Sequence, residues 1–114
     1  MIKLCILVPR RKDLTLEEFS DHWKNIHGPL FASQPDVQKH VIRYVQAHST
    51  GESLNQFPTA PYDGIAQIWF NSLEDITAVF GTENYLKNIA PDEAKFIDRD
   101  NIQWIYTTEH IVIA

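Results

Sequence analysis

Two histidines on one predicted helix are the residues whose type and spacing most clearly suggest chemistry. Residues 15–29 read TLEEFSDHWKNIHGP, and apolar side chains recur there every three or four positions, as in an amphipathic helix. His22 and His27 lie on opposite borders of the apolar stripe, and His27 falls in the last turn, where the helix dipole favours a cation. An imidazole so placed could exchange protons near neutral pH, or it could be a half-buried packing residue.

Both ends of this helix are marked in the sequence. Thr15 and Glu18 have the spacing of a capping box, and Gly28-Pro29 predicts that the helix ends directly after His27. Histidines five apart on an α-helix are splayed by about 140°, so the pair is not expected to bind a metal together. The face expected to pack inward consists of Leu16, Phe19, Trp23, Ile26 and Leu30.

A second group of polar rings is predicted on a strand. Residues 40–48, HVIRYVQAH, are rich in β-branched and aromatic types, and His40, Tyr44 and His48 alternate onto one face. That face could line a polar cavity or could be exposed to water. His40 and Tyr44 are therefore the candidates for polarising a carbonyl beside His27. The candidates for contacting a substrate, each of which could equally be plain core, are His22, Trp23, Trp69 and Phe80.

The remaining segments predict a single α+β domain over residues 1–114. The predicted elements are strand 2–8, the helix above, loop 31–39, strand 40–48, loop 49–63, strand 65–70, a helix between Ser72 and Gly81, short helical turns at 82–89 and Pro91, and strand 102–113. The order β-α-β-β-α-β is typical of a ferredoxin-like fold, a four-stranded antiparallel sheet with helices on one face. Because the strands are apolar on both faces, the bare face is expected to pack against a second copy in a homodimer.

Composition argues against several classes of protein. The 114 residues are 44% hydrophobic and carry a formal net charge of -5, which argues against a nucleic-acid-binding surface. The single cysteine, Cys5, lies in an apolar strand and suits a reducing compartment; no apolar run is long enough to span a membrane, so we expect a cytoplasmic protein. Glycine-rich phosphate loops, dinucleotide fingerprints and metal-ligand spacings are lacking, so neither cofactor nor metal is expected.

Three stretches, in this order along the chain, resemble the EthD-like family of dimeric α/β-barrel proteins. They are LTLEEFSDHWKNIHGPL at 14–30, segments of 62–75 that include YDGIA and SLED, and segments of 92–112 that include DE, FID and TEHIV. The resemblance implies a homodimer in which two sheets form a barrel, with a pocket between sheet and helices in each subunit. It also implies that His27 is the acid/base residue and that His40 is a further polar ring.

The residues and the resemblance together favour a cofactor-independent lyase, isomerase or cyclase. Its substrate would be a small aromatic, lactone or polyketide-like molecule, as for relatives in polyketide synthesis and aromatic catabolism. The central step would be proton transfer by His27 beside a carbonyl or a leaving carboxylate. Two alternatives are a cofactor-free or haem-type monooxygenase of the same superfamily and a non-catalytic accessory protein that binds a hydrophobic ligand.

Overall fold

The computed structural model describes residues 1–114, and its four strands form one antiparallel sheet. The strands are β1 (Ile2–Val8), β2 (Val41–His48), β3 (Gly64–Phe70) and β4 (Gln103–Thr107). Their order across the sheet is β2-β3-β1-β4, and each neighbouring pair is antiparallel. This is the α+β, ferredoxin-like arrangement that the sequence predicts.

Both connections that cross the sheet are built from short, joined helices. The first contains α1 (Leu16–His22), a π-helical turn (Trp23–His27), α2 (Gly28–Ala32) and α3 (Pro35–His40). The second contains α4 (Leu73–Phe80), another π-helical turn (Tyr85–Ile89), α5 (Ala90–Glu93) and a 3-10 turn (Arg99–Asn101). Not one of these helices combines the length and the apolar character that crossing a membrane requires.

The hydrophobic core lies between the helices and one face of the sheet. Leu4 of β1 lies opposite Ile68 of β3, and Ile6 lies opposite Ala66, so the alternating inner residues of the two central strands meet in register. Such pairs are the units through which a sheet presents an apolar face to its helices. The largest side chains that are almost completely buried against this face are Phe19, Trp23, Phe70 and Phe96.

The first helix does not end where Gly28-Pro29 predicts. The backbone N–H of Gly28 donates to the carbonyl of Trp23, five residues earlier, and the chain continues into α2. Pro29 lies in the first turn of α2, where its missing N–H is tolerated. The predicted loop at 31–39 likewise contains α3, which begins at Pro35 for the same reason.

The π-helical turn also changes which residues face the core. A π turn closes its hydrogen bonds over five residues rather than four, so the apolar spacing of an α-helix no longer applies beyond it. Ile26, predicted to face inward, is 53% exposed, and His27 is 5% exposed in its place. Phe31, rather than the predicted Leu30, then continues the buried stripe at 3% exposure.

The last strand is shorter than the sequence pattern predicts. β4 ends at Thr107, and the chain from 108 to 114 forms neither strand nor helix, so the prediction of a strand to residue 113 was wrong beyond this point. Glu109 accepts a hydrogen bond from the Trp69 indole at 2.6 Å, which draws the chain towards the outer face of the sheet. Ile111 and the two aliphatic residues after it are exposed.

Candidate active site

His22 and His27 converge on a single carboxylate. Nδ1 of His27 lies 2.9 Å from Oδ2 of Asp92, and Nε2 of His22 lies 3.0 Å from Oδ1 of the same residue. On an α-helix two residues five apart would diverge. The π-helical turn between them brings such residues nearly above one another, because its hydrogen bonds span five residues. The splayed pair that α-helical spacing predicts is therefore a converging pair.

Asp92 lies on a short helix, and an aromatic ring packs against its two imidazole partners. It belongs to α5 and is only 6% exposed, so its carboxylate would be costly to bury without partners. Two imidazoles provide those partners. The ring of Phe96 packs against both imidazoles, with centroid distances of 4.7 Å to His22 and 5.0 Å to His27.

The environment of His27 favours a neutral ring with a free nitrogen. Burial lowers the pKa of His27, and this effect outweighs the hydrogen bond to Asp92, which acts in the opposite direction. A carboxylate accepts hydrogen bonds, so Asp92 selects the tautomer with the proton on Nδ1. The lone pair is then on Nε2, which has no hydrogen-bond partner in the protein. The arrangement can accept a proton at Nε2.

A narrow apolar cavity of about 30 Å³ lies beside His27, between the sheet and the helices. That volume holds roughly two water molecules, so a ligand larger than this requires movement of the walls. His27 contributes its imidazole and Glu93 its carboxyl to an otherwise hydrophobic lining. The other lining residues are Ile6, Val8, Trp23, Phe31, Tyr44, Ala66, Ile68, Phe80, Ile97 and Ile102.

Glu93 is a functional candidate that sequence reasoning missed. Its side chain is 12% exposed, and burial raises the pKa of its carboxyl. The hydroxyl of Tyr85 donates to Oε1 at 2.6 Å, while the guanidinium of Arg99 stays 3.9 Å away. The sequence showed an acidic pair after Pro91, which is also the ordinary composition of a helix N-terminus. Nothing in the neighbouring sequence distinguishes a buried carboxyl from one on the surface.

Tyr44 lines the cavity and is hydrogen-bonded by Trp23. The indole Nε1 of Trp23 donates to the Tyr44 hydroxyl at 3.2 Å, and burial raises the pKa of Tyr44, which keeps that hydroxyl protonated. The ring of Trp23 can approach β3 this closely only because residue 64 is glycine. A Cβ atom at Gly64 would lie 2.3 Å from the Cζ3 atom of the Trp23 ring.

Two other predicted site residues lie elsewhere. His40 ends α3, and its Nδ1 lies 2.7 Å from Oδ1 of Asp75 on α4. A register shift in β2 between Val41 and Arg43 separates it from the strand face of Tyr44. Trp69 lies on the outer face of the sheet, with the guanidinium of Arg43 4.8 Å from its ring centroid. Of the predicted site residues, four line the cavity, namely Trp23, His27, Tyr44 and Phe80. His22 shares Asp92 with His27 without lining the cavity, and His40 and Trp69 lie elsewhere.

Metal binding fits this constellation poorly. His22, His27 and Asp92 are types that commonly coordinate metals. Here, however, one nitrogen of each histidine lies at hydrogen-bond distance from an Asp92 oxygen, so both carboxylate oxygens already have a partner. No group of three or more His, Cys, Asp or Glu side chains is placed to hold an ion.

A larger but more open cleft lies just beyond the Val8 end of β1, and Ile102 lines both this cleft and the inner cavity. It measures about 960 Å³ and is formed by the 49–63 loop and the segment from Asp98 to Gln103. Most of its lining is polar, and two of its charged residues, Arg10 and Asp63, are paired at 2.7 Å. The inner cavity is the better candidate site, because perturbed titratable groups border it.

Comparison with known proteins places the chain in a family. The model of the EthD domain matches residues 11–100, which is most of the chain. The chain belongs to the EthD family. As an EthD protein it has a curated relative in Ustilaginoidea virens, the dehydratase ustZ, which is 26% identical over 113 residues, covering 90% of this chain and 79% of the relative.

Solved structures share the ferredoxin-like fold over nearly the whole chain. An EthD family protein from Bacillus halodurans superimposes with a TM-score of 0.68 at 17% identity, covering 96% of this chain and 99% of that one. A dimeric protein of ferredoxin-like fold from Bacteroides fragilis has a TM-score of 0.65 at 11% identity, covering 93% of both chains. Family and site together support a role in converting a small molecule.

Proposed function

We propose that this EthD protein is a cofactor-independent lyase that removes water from a small hydroxy-carbonyl compound of aromatic, lactone or polyketide-like structure. The observation that carries the proposal is the imidazole of His27, whose Nδ1 is held by Asp92 while Nε2 is free beside an apolar, aromatic cavity. The name of the Ustilaginoidea virens relative, a dehydratase, agrees with an elimination of this kind. Isomerisation or cyclisation through the same enolate would use the same groups.

The elimination needs a base, a stabilised oxygen and an acid. His27 Nε2 takes a proton from the carbon next to the substrate carbonyl, and the electron pair moves onto the carbonyl oxygen, which accepts a hydrogen bond from Tyr44. The enolate then re-forms the carbonyl and expels the β-hydroxyl group. That group leaves as water with a proton from the carboxyl of Glu93. His27 returns its proton to Glu93 through solvent before the next cycle.

The test uses aromatic β-hydroxy ketones as trial substrates, with formation of the conjugated product followed by absorbance. His27→Gln should reduce turnover about 10²- to 10⁴-fold, the usual contribution of a general base. His110→Gln, which changes an exposed histidine near the C-terminus, is the matched control and should retain wild-type turnover. Full turnover by His27→Gln would exclude the role proposed for this ring.

A second measurement separates catalysis from mere ligand binding. The enzyme is incubated in D₂O with 2-tetralone, an aromatic ketone that has no leaving group, and exchange of its α-protons is followed by NMR. A base at Nε2 of His27 should accelerate this exchange, and His27→Gln should abolish the acceleration. A ketone that binds without faster exchange would favour the accessory, ligand-binding role instead.

We also propose that the EthD chain forms a homodimer through the outer face of its sheet. Alternate residues of the central strands present small and aliphatic side chains there, and the helices cover only the other face. The solved relative from Bacteroides fragilis is described as dimeric. Of the outer residues, Leu7 and Ala47 each lie opposite Ile65, and Cys5 lies opposite Ile105. Val45 also lies on this face, opposite Gln67.

Sedimentation analysis tests this arrangement. Val45→Asp would place a charge in the proposed interface and should convert the dimer into a monomer, because an unpaired buried charge is strongly unfavourable. Leu86→Asp introduces the same charge at a side chain that is 63% exposed on the helical side and should leave the dimer intact. A monomeric wild-type protein would refute the proposal.

A further inference from the structure

We infer that Gln46 is a positioning residue that directs the hydroxyl proton of Tyr44 into the cavity, so that the site selects ligands with a hydrogen-bond acceptor at that point. The inference rests on the proposed function insofar as the acceptor is the carbonyl oxygen of the substrate. It is carried by the hydrogen bonds that link Ser20, His48 and Gln46 to Tyr44.

The orientation of the Gln46 amide follows from its contact with the backbone. Its terminal nitrogen lies 3.0 Å from the carbonyl oxygen of Trp23. A carbonyl oxygen can only accept a hydrogen bond, so the amide group at this position must be the NH₂. The second hydrogen of that NH₂ is then directed at the Tyr44 hydroxyl, 3.1 Å away.

Two donors consequently converge on the Tyr44 oxygen. The indole Nε1 of Trp23, which can only donate, lies 3.2 Å from it, and the Gln46 amide donates to it as well. A phenolic oxygen that accepts two hydrogen bonds has both lone pairs occupied. Its own proton cannot be donated to either neighbour, because both neighbours are themselves donors. Since Tyr44 makes no further hydrogen bond within the protein and lines the cavity, the proton points into that cavity.

His48 fixes the other end of the Gln46 amide. With the NH₂ directed at Trp23 and Tyr44, Gln46 Oε1 faces Nε2 of His48 at 2.7 Å and accepts its proton. His48 is therefore the Nε2–H tautomer, and its Nδ1 accepts a hydrogen bond from the hydroxyl of Ser20. Each bond in the series determines the direction of the next, and the series ends at the cavity.

The consequence is a site that favours ligands carrying an oxygen that accepts a hydrogen bond. A ketone, ester or quinone oxygen next to Tyr44 would receive a hydrogen bond. In an enolising ligand that bond strengthens as charge develops on the oxygen. A group that can only donate, such as an ammonium, would receive no hydrogen bond from Tyr44 at this point.

The first experiment needs no ligand. The ¹⁵N shifts of the histidine rings in labelled wild-type protein report the tautomer of each ring, and His48 is assigned by the signals missing from His48→Gln. The expected result is a neutral His48 with the proton on Nε2. A proton on Nδ1 would require the Gln46 amide to be reversed, with its oxygen against the Trp23 carbonyl, and would overturn the inference.

The second experiment changes the direction in which the Tyr44 hydroxyl proton points. In Gln46→Glu the amide donor is replaced by a carboxyl oxygen that can accept from Tyr44, so the hydroxyl should turn away from the cavity. The probe is 2-acetylnaphthalene labelled with ¹³C at its carbonyl, observed by infrared difference spectroscopy. In the wild type its carbonyl band should lie at lower frequency than in Tyr44→Phe, and Gln46→Glu should lose this shift. Affinity for the ketone should fall about two- to tenfold, the range of one neutral hydrogen bond.

Two further variants keep the outcome interpretable. Gln56→Glu introduces the same change in the exposed 49–63 loop and should keep the wild-type band. Gln46→Met removes the donor without adding an acceptor and should give an intermediate shift. It serves as the test if Gln46→Glu does not fold. An unchanged band in both Gln46 variants would overturn the inference.

Failure of the proposed reaction gives a different pattern. A wild type without dehydratase turnover that still shows the tautomer and the band shift would leave the positioning role intact. If the ketone does not bind, the tautomer of His48 decides by itself.

Discussion

Nδ1 of His27 lies 2.9 Å from Oδ2 of Asp92, a residue 65 positions later in the chain. The contact joins the first crossover of the fold to the second and gives the imidazole a defined tautomer. Because His22 occupies the other carboxylate oxygen, Asp92 accepts hydrogen bonds from two rings at once. This doubly bonded carboxylate is the part of the site most sensitive to an isosteric change.

Asp92→Asn should impair the proposed reaction while preserving the fold. An asparagine has one accepting oxygen and one donating NH₂, so one of the two histidines must change its tautomer. Where an equivalent change is made in a serine protease triad the rate falls by about 10⁴, and we expect a loss between about tenfold and that value. Turnover and the ¹⁵N spectrum of the ring measure the effect.

The control for this variant is Asp21→Asn, which alters an exposed carboxylate on α1. It should leave both readouts unchanged. Wild-type turnover by Asp92→Asn, with His27 still carrying its proton on Nδ1, would show that Asp92 does not set the tautomer.

Glu93→Gln should stabilise the protein at neutral pH, and the gain should shrink on acidification. Burial raises the pKa of Glu93, so the folded state binds its proton more tightly than the unfolded chain does. That stabilisation is fully present below the unfolded pKa, about 4.5, and is lost as the pH rises through the higher folded pKa. Glutamine cannot ionise, so at neutral pH it avoids the cost of the ionised fraction of Glu93 and still accepts a hydrogen bond from Tyr85.

Urea unfolding between about pH 4 and pH 8 measures this dependence. Glu83→Gln, at a side chain that is 85% exposed, should show no comparable trend. A gain at pH 4 as large as that at pH 8 would mean that Glu93 titrates like an exposed carboxyl.

Gly64→Ala should destabilise the fold by about 1–3 kcal/mol, the usual cost of overpacking. The new methyl carbon would lie 2.3 Å from the outer ring of Trp23, which cannot move without losing its contacts to Tyr44. Phenylalanine lacks that outer ring, so the cost of Gly64→Ala should be smaller in a Trp23→Phe background. A double-mutant cycle measured by urea unfolding reports the coupling, and additive effects would contradict the contact.

Ile26→Gln should change the free energy of unfolding by no more than about 0.5 kcal/mol, as for an ordinary surface position. In a continuous α-helix this isoleucine would face the core, but the π-helical turn exposes it. Phe31→Ala, at the buried position beyond the turn, should cost about 3–5 kcal/mol. Comparable losses for the two variants in thermal or urea unfolding would argue for a regular helix through this segment.

Features that depend on neighbouring residues were predicted well. The capping box at Thr15 and Glu18 has both of its hydrogen bonds, and Ser72 caps α4 as its spacing with Asp75 indicates. The three longer strands lie within one residue of their predicted bounds, and α4 ends at Gly81. On α4, Ile76 and Val79 are buried, whereas Leu73 in its first turn is 56% exposed.

Features that depend on the meeting of distant segments were not predicted. His40 was expected on the strand face of Tyr44, yet a register shift in β2 and the formation of α3 place it against Asp75. Trp69 is a residue type that often lines pockets, but the alternation of the strand places it on the outer face of the sheet. Residue type does not indicate which of two faces a helix will cover.

By itself the sequence determined the order of the elements, the α+β class and the choice of His27 as the ring to examine, because caps, turns and apolar periodicity act over a few residues. Only the tertiary structure decided that Asp92 and Glu93 complete the site and that His22 converges with His27. The difference is physical. A π-helical turn replaces one hydrogen-bonding pattern with another within the same segment, and packing against the sheet and α5, not local propensity, selects between them.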